Sequence, residues 1–140
     1  MAYEYLEHTA DLKIRATGKT LEEALSESAK AVFGAIAGKS RVEPRLEKEL
    51  TIIVREPQTL VHDFLGKLIY IFSTEHILFS EFELNLKEAI GYKLKVKARG
   101  EPYDPKKHKL VKEVKAVTYH DMKVQEEEDG TWRIEVVCDT

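Results

Sequence analysis

The chain has 140 residues, 43% hydrophobic and 34% charged, which is enough apolar material for one folded domain over residues 1–140 and too much for a disordered chain. A net charge of −3 argues against a general nucleic-acid coat, apolar runs far shorter than the ~20 residues that cross a bilayer argue against a membrane span, and a start without a basic-then-apolar leader leads to the expectation of an unexported protein. Cys138 is the only cysteine, so an internal disulfide, a CxxC redox pair and a cysteine-rich zinc site are excluded, and a cytoplasmic location is expected.

The first helix is read from Leu21, where Leu21, Ala24, Leu25, Val32, Phe33 and Ile36 form one apolar stripe. Thr20 and Glu23 form a capping-box pair at its start, and Gly38 supplies its stop. A strand follows at Leu50 to Val54. Pro57 then opens a second helix, in which Leu60, Val61, Phe64, Leu65, Leu68, Ile69 and Phe72 repeat in pairs. Strands are expected at Leu78 to Leu86, Tyr92 to Arg99, Lys109 to Thr118, Met122 to Glu126 and Trp132 to Cys138, with Asp129-Gly130 as the clearest hairpin turn. Loops too short for crossovers favour an α+β fold, an antiparallel or mixed β-sheet sandwich with two amphipathic helices packed on it, over a parallel doubly wound sheet.

Charge is unevenly spread. Residues 87–115 carry ten basic and four acidic side chains, whereas residues 116–140 carry two and seven. Lys93, Lys95, Lys97 and Arg99 alternate with Leu94, Val96 and Ala98, so four cations share one strand face. A solvated outer face and an electrostatic patch for RNA or an acidic protein weigh equally, since no aromatic residue interleaves to stack bases.

Gly18-Lys19-Thr20 and Gly38-Lys39-Ser40 lack the earlier glycine of a phosphate loop, whose place is held by Lys13 and Phe33. No Gly-x-Ser-x-Gly elbow is present, and Cys138 lies in an apolar strand as a buried structural thiol. His62, Asp63 and His76 sit by a helix and carry no assigned chemistry. Acidic groups offer the sharper signal. Asp11 near one end of the chain, and Asp139 with the Thr140 α-carboxylate at the other, would repel unless a cation or protons neutralised them, and all-oxygen ligation suits Ca²⁺ or Mg²⁺. On spacing alone, two unrelated surface aspartates are the simpler reading.

His8-Thr9-Ala10-Asp11, Glu113-Val114-Lys115-Ala116-Val117-Thr118-Tyr119-His120 and the terminal Val137-Cys138-Asp139-Thr140 together resemble the motifs of the archease family, in order and over the whole chain. The resemblance implies a small non-enzymatic protein that assists the tRNA-splicing RNA ligase, promoting its guanylylation and multiple turnover. Some members are also linked to a tRNA cytosine-5 methyltransferase as chaperone-like partners. By the same resemblance Asp11, Asp139 and Thr140 correspond to ligands of Ca²⁺ or another hard divalent cation, and Lys115 and His120 to positions that activate the partner. Asp121 stands where the family often has glycine, and Cys138 where an aromatic is common. Two competing readings remain: a metal-dependent hydrolase using Asp11, Asp139 and His120 as general base, and an RNA-binding module built on Lys93, Lys95, Lys97 and Arg99.

Overall fold

The computed structural model describes residues 1–7 and 10–140, so His8 and Thr9 of the first motif lie outside the described residues. In chain order the elements are β1 (Ala2–Leu6), β2 (Leu12–Gly18), α1 (Leu21–Ala37), β3 (Leu46–Val54), α2 (Pro57–Glu75), β4 (Ile77–Glu88), β5 (Tyr92–Pro102), β6 (Ala116–Glu126) and β7 (Trp132–Asp139). They build two antiparallel sheets, one in the order β1-β2-β7-β6 and one in the order β3-β5-β4. The α+β expectation therefore holds, with every strand pair antiparallel.

No described strand of one sheet meets a strand of the other. Instead α1 packs on β1, β2 and β7 of the first sheet and on β4 of the second, while α2 packs on β6 and on all three strands of the second. The helices are the layer that joins the sheets. This accounts for the wide buried surface of α1, where Leu25, Ala29, Ala31, Val32 and Ile36 are all fully covered, more than a single stripe would need. Phe33 fills the join by meeting Phe72, Phe79 and Phe82, with the first two rings edge-on to it.

The helix ends follow their local chemistry. The Glu23 amide donates to Thr20 Oγ1 at 3.0 Å, and Gly38 takes a φ of 59° at the stop. Pro57 opens α2, and His76 closes it in the left-handed region. At the Asp129-Gly130 turn, Thr131 donates to Asp129 Oδ1 from both its amide and its hydroxyl.

Two sequence expectations need correction. β1 and β2 are strands that the sequence expectation lacks, although Leu12, Ile14 and Ala16 alternate with Lys13, Arg15 and Thr17 in the period of a half-buried strand. The expected strand at Lys109 to Thr118 begins only at Ala116, and the separate one at Met122 is its continuation after a bulge between Thr118 and Lys123. The residues before Ala116 satisfy their backbone groups on scattered partners rather than one ladder: Lys109 on Ser40 Oγ, Val111 on the Ile36 carbonyl and Lys115 on the Asp139 carbonyl.

Candidate functional site

β2 and β7 are central neighbours in the four-stranded sheet, and their register pairs Leu12 with Cys138. Carried one residue further, the register sets Asp11 opposite Asp139, and one more brings Thr140 Oγ1 to the Ala10 carbonyl, to which it donates at 2.8 Å. On the other side of β7, Asp139 pairs with Ala116, and its carbonyl accepts the Lys115 amide at 2.8 Å. Asp11, Lys115, Asp139 and Thr140 therefore come together at one end of one sheet, although Asp11 lies more than a hundred residues from the other three in sequence. Residues directly opposite on antiparallel strands hold their Cβ atoms roughly 5 Å apart, and like charges so placed repel.

Beside this end lies an open groove of about 830 Å³, lined among others by Tyr5, Leu6, Asp11, Gly34, Val111 and Lys112. Its walls come from β1, the C-terminal turn of α1 and the irregular segment that leads to Lys115. The Tyr5 hydroxyl donates to the Ala31 carbonyl at 2.9 Å, and burial first, then the neighbouring Tyr3, pushes its pKa up to about 12.

Sequence reasoning missed what holds that segment in place. Glu101, only 2% exposed, accepts from Lys107 Nζ at 2.7 Å, the Glu43 amide at 2.8 Å and His108 Nε2 at 3.0 Å. The Asp104 amide donates to His108 Nδ1 at 3.0 Å, which leaves Nε2 as the ring nitrogen that carries the proton. Burial alone would raise the Glu101 carboxyl, but the hydrogen bonds from Lys107, Glu43 and His108 outweigh it and hold the group at about 2. No periodicity marks such a clasp, because its members are joined by burial rather than by spacing.

His120 stands elsewhere. It lies four residues along β6 from Ala116, on the bulge where Asp121 adopts a φ of 54°. Its Nε2 is 3.2 Å from Asp121 Oδ2, and the adjoining Tyr119 ring stacks on His62 with centroids 4.4 Å apart. The strand register thus brings Asp11, Asp139, Thr140 and Lys115 to one end of the sheet, whereas His120 falls on the bulge of β6 beyond the residues paired with that end of β7.

Cys138 is fully buried as expected, and burial together with Asp139 and Asp11 pushes its thiol up to about 12. The native chain is therefore expected to resist alkylation by iodoacetamide near pH ~8, at which an unperturbed thiol reacts, and to be labelled fully once unfolded in urea. Rapid labelling of the native state, read by mass spectrometry, would contradict this placement.

The basic strand is the middle strand of the three-stranded sheet. Arg99 donates to Glu47 Oε1 at 3.0 Å and to Glu83 Oε1 at 2.9 Å, and Lys97 sits between Glu49 and Glu83. The hydrogen bonds and charge of Arg99 in turn hold the Glu83 carboxyl below its usual range. Half of the four-cation face is thus neutralised across the strands, leaving Lys93 and Lys95 with neutral or like-charged neighbours.

The Archease protein family (MTH1598/TM1083) matches over residues 3–140. The chain belongs to the archease family. It is 42% identical to the protein archease of Pyrococcus abyssi over 138 residues, 98% of this chain and 97% of that one. It is 45% identical to the protein archease of Methanopyrus kandleri over 140 residues, with 99% of each covered. Among archease structures, the solution structure of Methanobacterium thermoautotrophicum protein 1598 is similar to it with a TM-score of 0.87 at 34% identity, over 99% of both chains. No helix of the described residues is long and apolar enough to cross a membrane.

Proposed function

We propose that this archease family member is a non-enzymatic activator of a tRNA-splicing RNA ligase, promoting the ligase's guanylylation and turnover from the end of the sheet that carries Asp11, Asp139 and Lys115. The observation that carries the reading is their convergence: two opposed carboxylates and a lysine, fixed by strand register and by the Lys115 amide on the Asp139 carbonyl. Charges held this way act on a partner's active site without reorganising on arrival.

Hard oxygen donors at this end fit Ca²⁺ or Mg²⁺ in kind. They do not complete such a site by number: among the described residues no group of three His, Cys, Asp or Glu side chains is placed to hold a metal. The Thr140 hydroxyl adds one oxygen, already tied to Ala10. Asp11, Asp139 and Thr140 would therefore supply part of a shell whose remaining oxygens come from water or from the partner. The cation would neutralise the opposed carboxylates.

RNA contact through β5 stays weak in this reading, because Arg99 and Lys97 are matched by Glu47, Glu49 and Glu83. The decisive measurement is guanylylation and multiple turnover of the ligase with and without this protein. Stimulation at substoichiometric amounts is expected. An unchanged ligase, or ligation by the purified protein alone, would overturn the reading.

A further inference from the structure

Ile90 and Ile53 are the most exposed large aliphatic side chains of the described residues, at 92% and 72%. They sit together at one end of the three-stranded sheet, Ile53 in the last rungs of β3 and Ile90 in the turn from β4 to β5. That turn is closed by the Ala89 amide on the Gly91 carbonyl at 3.0 Å. It also presses on the end of β3 so closely that a Cβ on Gly91 would stand 2.7 Å from the Val54 carbonyl oxygen. Ile90 is therefore presented by a tightly seated turn.

Between the isoleucines lies an open groove of about 640 Å³, lined by Ile53, Arg55, Lys87, Ile90, Tyr92 and Lys93, with Val54, Ala89 and Gly91. Register makes Ile53, Lys93 and Lys87 one rung across the sheet, and Lys95 on the next rung faces Thr51 and Asn85. Among the described residues none of Arg55, Lys87, Lys93 or Lys95 lies within ion-pair distance of a carboxylate, whereas Arg99 at the other end of β5 has two such partners. Glu56 and Glu88 stand near enough to act on Tyr92 at the same end, but neither lines the groove.

We propose that this end of the sheet docks an acidic protein segment that carries an aliphatic or aromatic anchor. The anchor enters the groove between Ile53 and Ile90, and its flanking carboxylates meet Arg55, Lys87 and Lys93. A concave apolar centre inside a cationic rim suits such a segment. Nucleic acid fits less well, since stacking successive bases needs several exposed aromatic faces and this surface offers one half-buried ring, Tyr92, among aliphatic side chains. A bilayer fits less well, since two exposed isoleucines give it little apolar area compared with the long apolar face of a membrane-seated element.

The surface is separate from the activating end. The Leu86 amide near the hairpin donates to Glu22 in the first turn of α1, whereas Gly38 at the last turn of α1 borders the groove beside Asp11. The seventeen residues of α1 span about 25 Å between the two. The proposal therefore stands whether or not the ligase reading does.

The test is fluorescence anisotropy of a labelled peptide of glutamate and leucine residues. Binding is expected to weaken about tenfold in Ile53→Ser with Ile90→Ser, and as much in Lys87→Glu with Lys93→Glu. The charge-reversed variant should regain affinity for the same peptide with lysine in place of glutamate. These side chains are exposed, so the variants should keep the wild-type circular dichroism. Equal binding by all variants, or by a glutamate peptide lacking leucine, overturns the proposal. So does isoleucine-dependent binding of single-stranded RNA or phosphatidylserine vesicles where the peptide fails. A dimer in sedimentation velocity that Ile90→Ser dissociates would assign the surface to a second copy of this chain instead.

Discussion

Replacing Asp139 with alanine is expected to cut stimulation of ligase guanylylation roughly tenfold to a hundredfold, the rate equivalent of losing one interaction with a charged group. The fold should survive. The Asp139 side chain is exposed, and the contact that orders its neighbourhood, Lys115 amide to Asp139 carbonyl, uses the backbone and persists in the variant. Exposed substitutions usually shift stability by about 0.5 kcal/mol or less, and relief of repulsion with Asp11 acts in the stabilising direction. Asp11→Ala and Lys115→Ala should behave alike. Millimolar Ca²⁺ should raise the wild-type melting temperature and leave that of Asp139→Ala unmoved, since a ligand that binds only the native state stabilises it by mass action. Folded variants with normal stimulation would defeat the activating-end reading, and a wild-type melting temperature indifferent to Ca²⁺ would defeat the cation.

The helices were legible because each announces itself locally, through Thr20, Gly38 and Pro57 at the ends and apolar pairs every four residues between them. What could not be read was the use of each helix. A stripe says that one face is covered, but Phe33, touching Phe72 of α2 and Phe79 and Phe82 of β4, shows α1 serving a second layer as well. β1 and β2 escaped for another reason. β1 is short and turns most of its length to solvent, with Tyr3 and Tyr5 only partly covered, and β2 interleaves its apolar residues with Lys13 and Arg15.

The candidate site was legible in its chemistry and not in its assembly. Repulsion between Asp11 and Asp139 could be suspected from their residue type, yet only the pairing of Leu12 with Cys138 makes them neighbours. His120 shows the converse. It follows Lys115 by five residues in one motif, yet it falls on a bulge with Asp121 in the left-handed region rather than among the residues paired with the end of β7. The strand face of Lys93, Lys95, Lys97 and Arg99 was read from one strand alone, and the cross-strand glutamates that cancel half of it belong to β3 and β4.

Removing the Glu101 carboxylate should have the largest effect on stability, because it is the buried centre of the clasp that holds the segment leading to Lys115. Glu101→Leu keeps the volume but strands the Glu43 amide and the His108 Nε2 proton in a site from which water is excluded. Breaking such a buried pair costs about 3–5 kcal/mol. Glu101→Gln keeps an acceptor and should cost less. The two variants also make different predictions in acid. The folded carboxyl is held at about 2, below its ordinary 4.5, so its contribution is fully present above pH 4.5 and drains away as pH falls toward 2. Wild-type stability in urea should therefore fall across that window, and Glu101→Gln, which has no proton to take up there, should show a shallower fall. Parallel acid limbs would mean that some other carboxylate controls acid unfolding. Lys115 is fixed through its own amide to Asp139 on one side and through the clasped segment on the other, so Glu101→Gln should also lower ligase stimulation while Asp11 and Asp139 remain in place. Restoring full stimulation by cooling, without restoring the acid limb, is the signature expected if the clasp acts by holding Lys115 in position rather than by its charge.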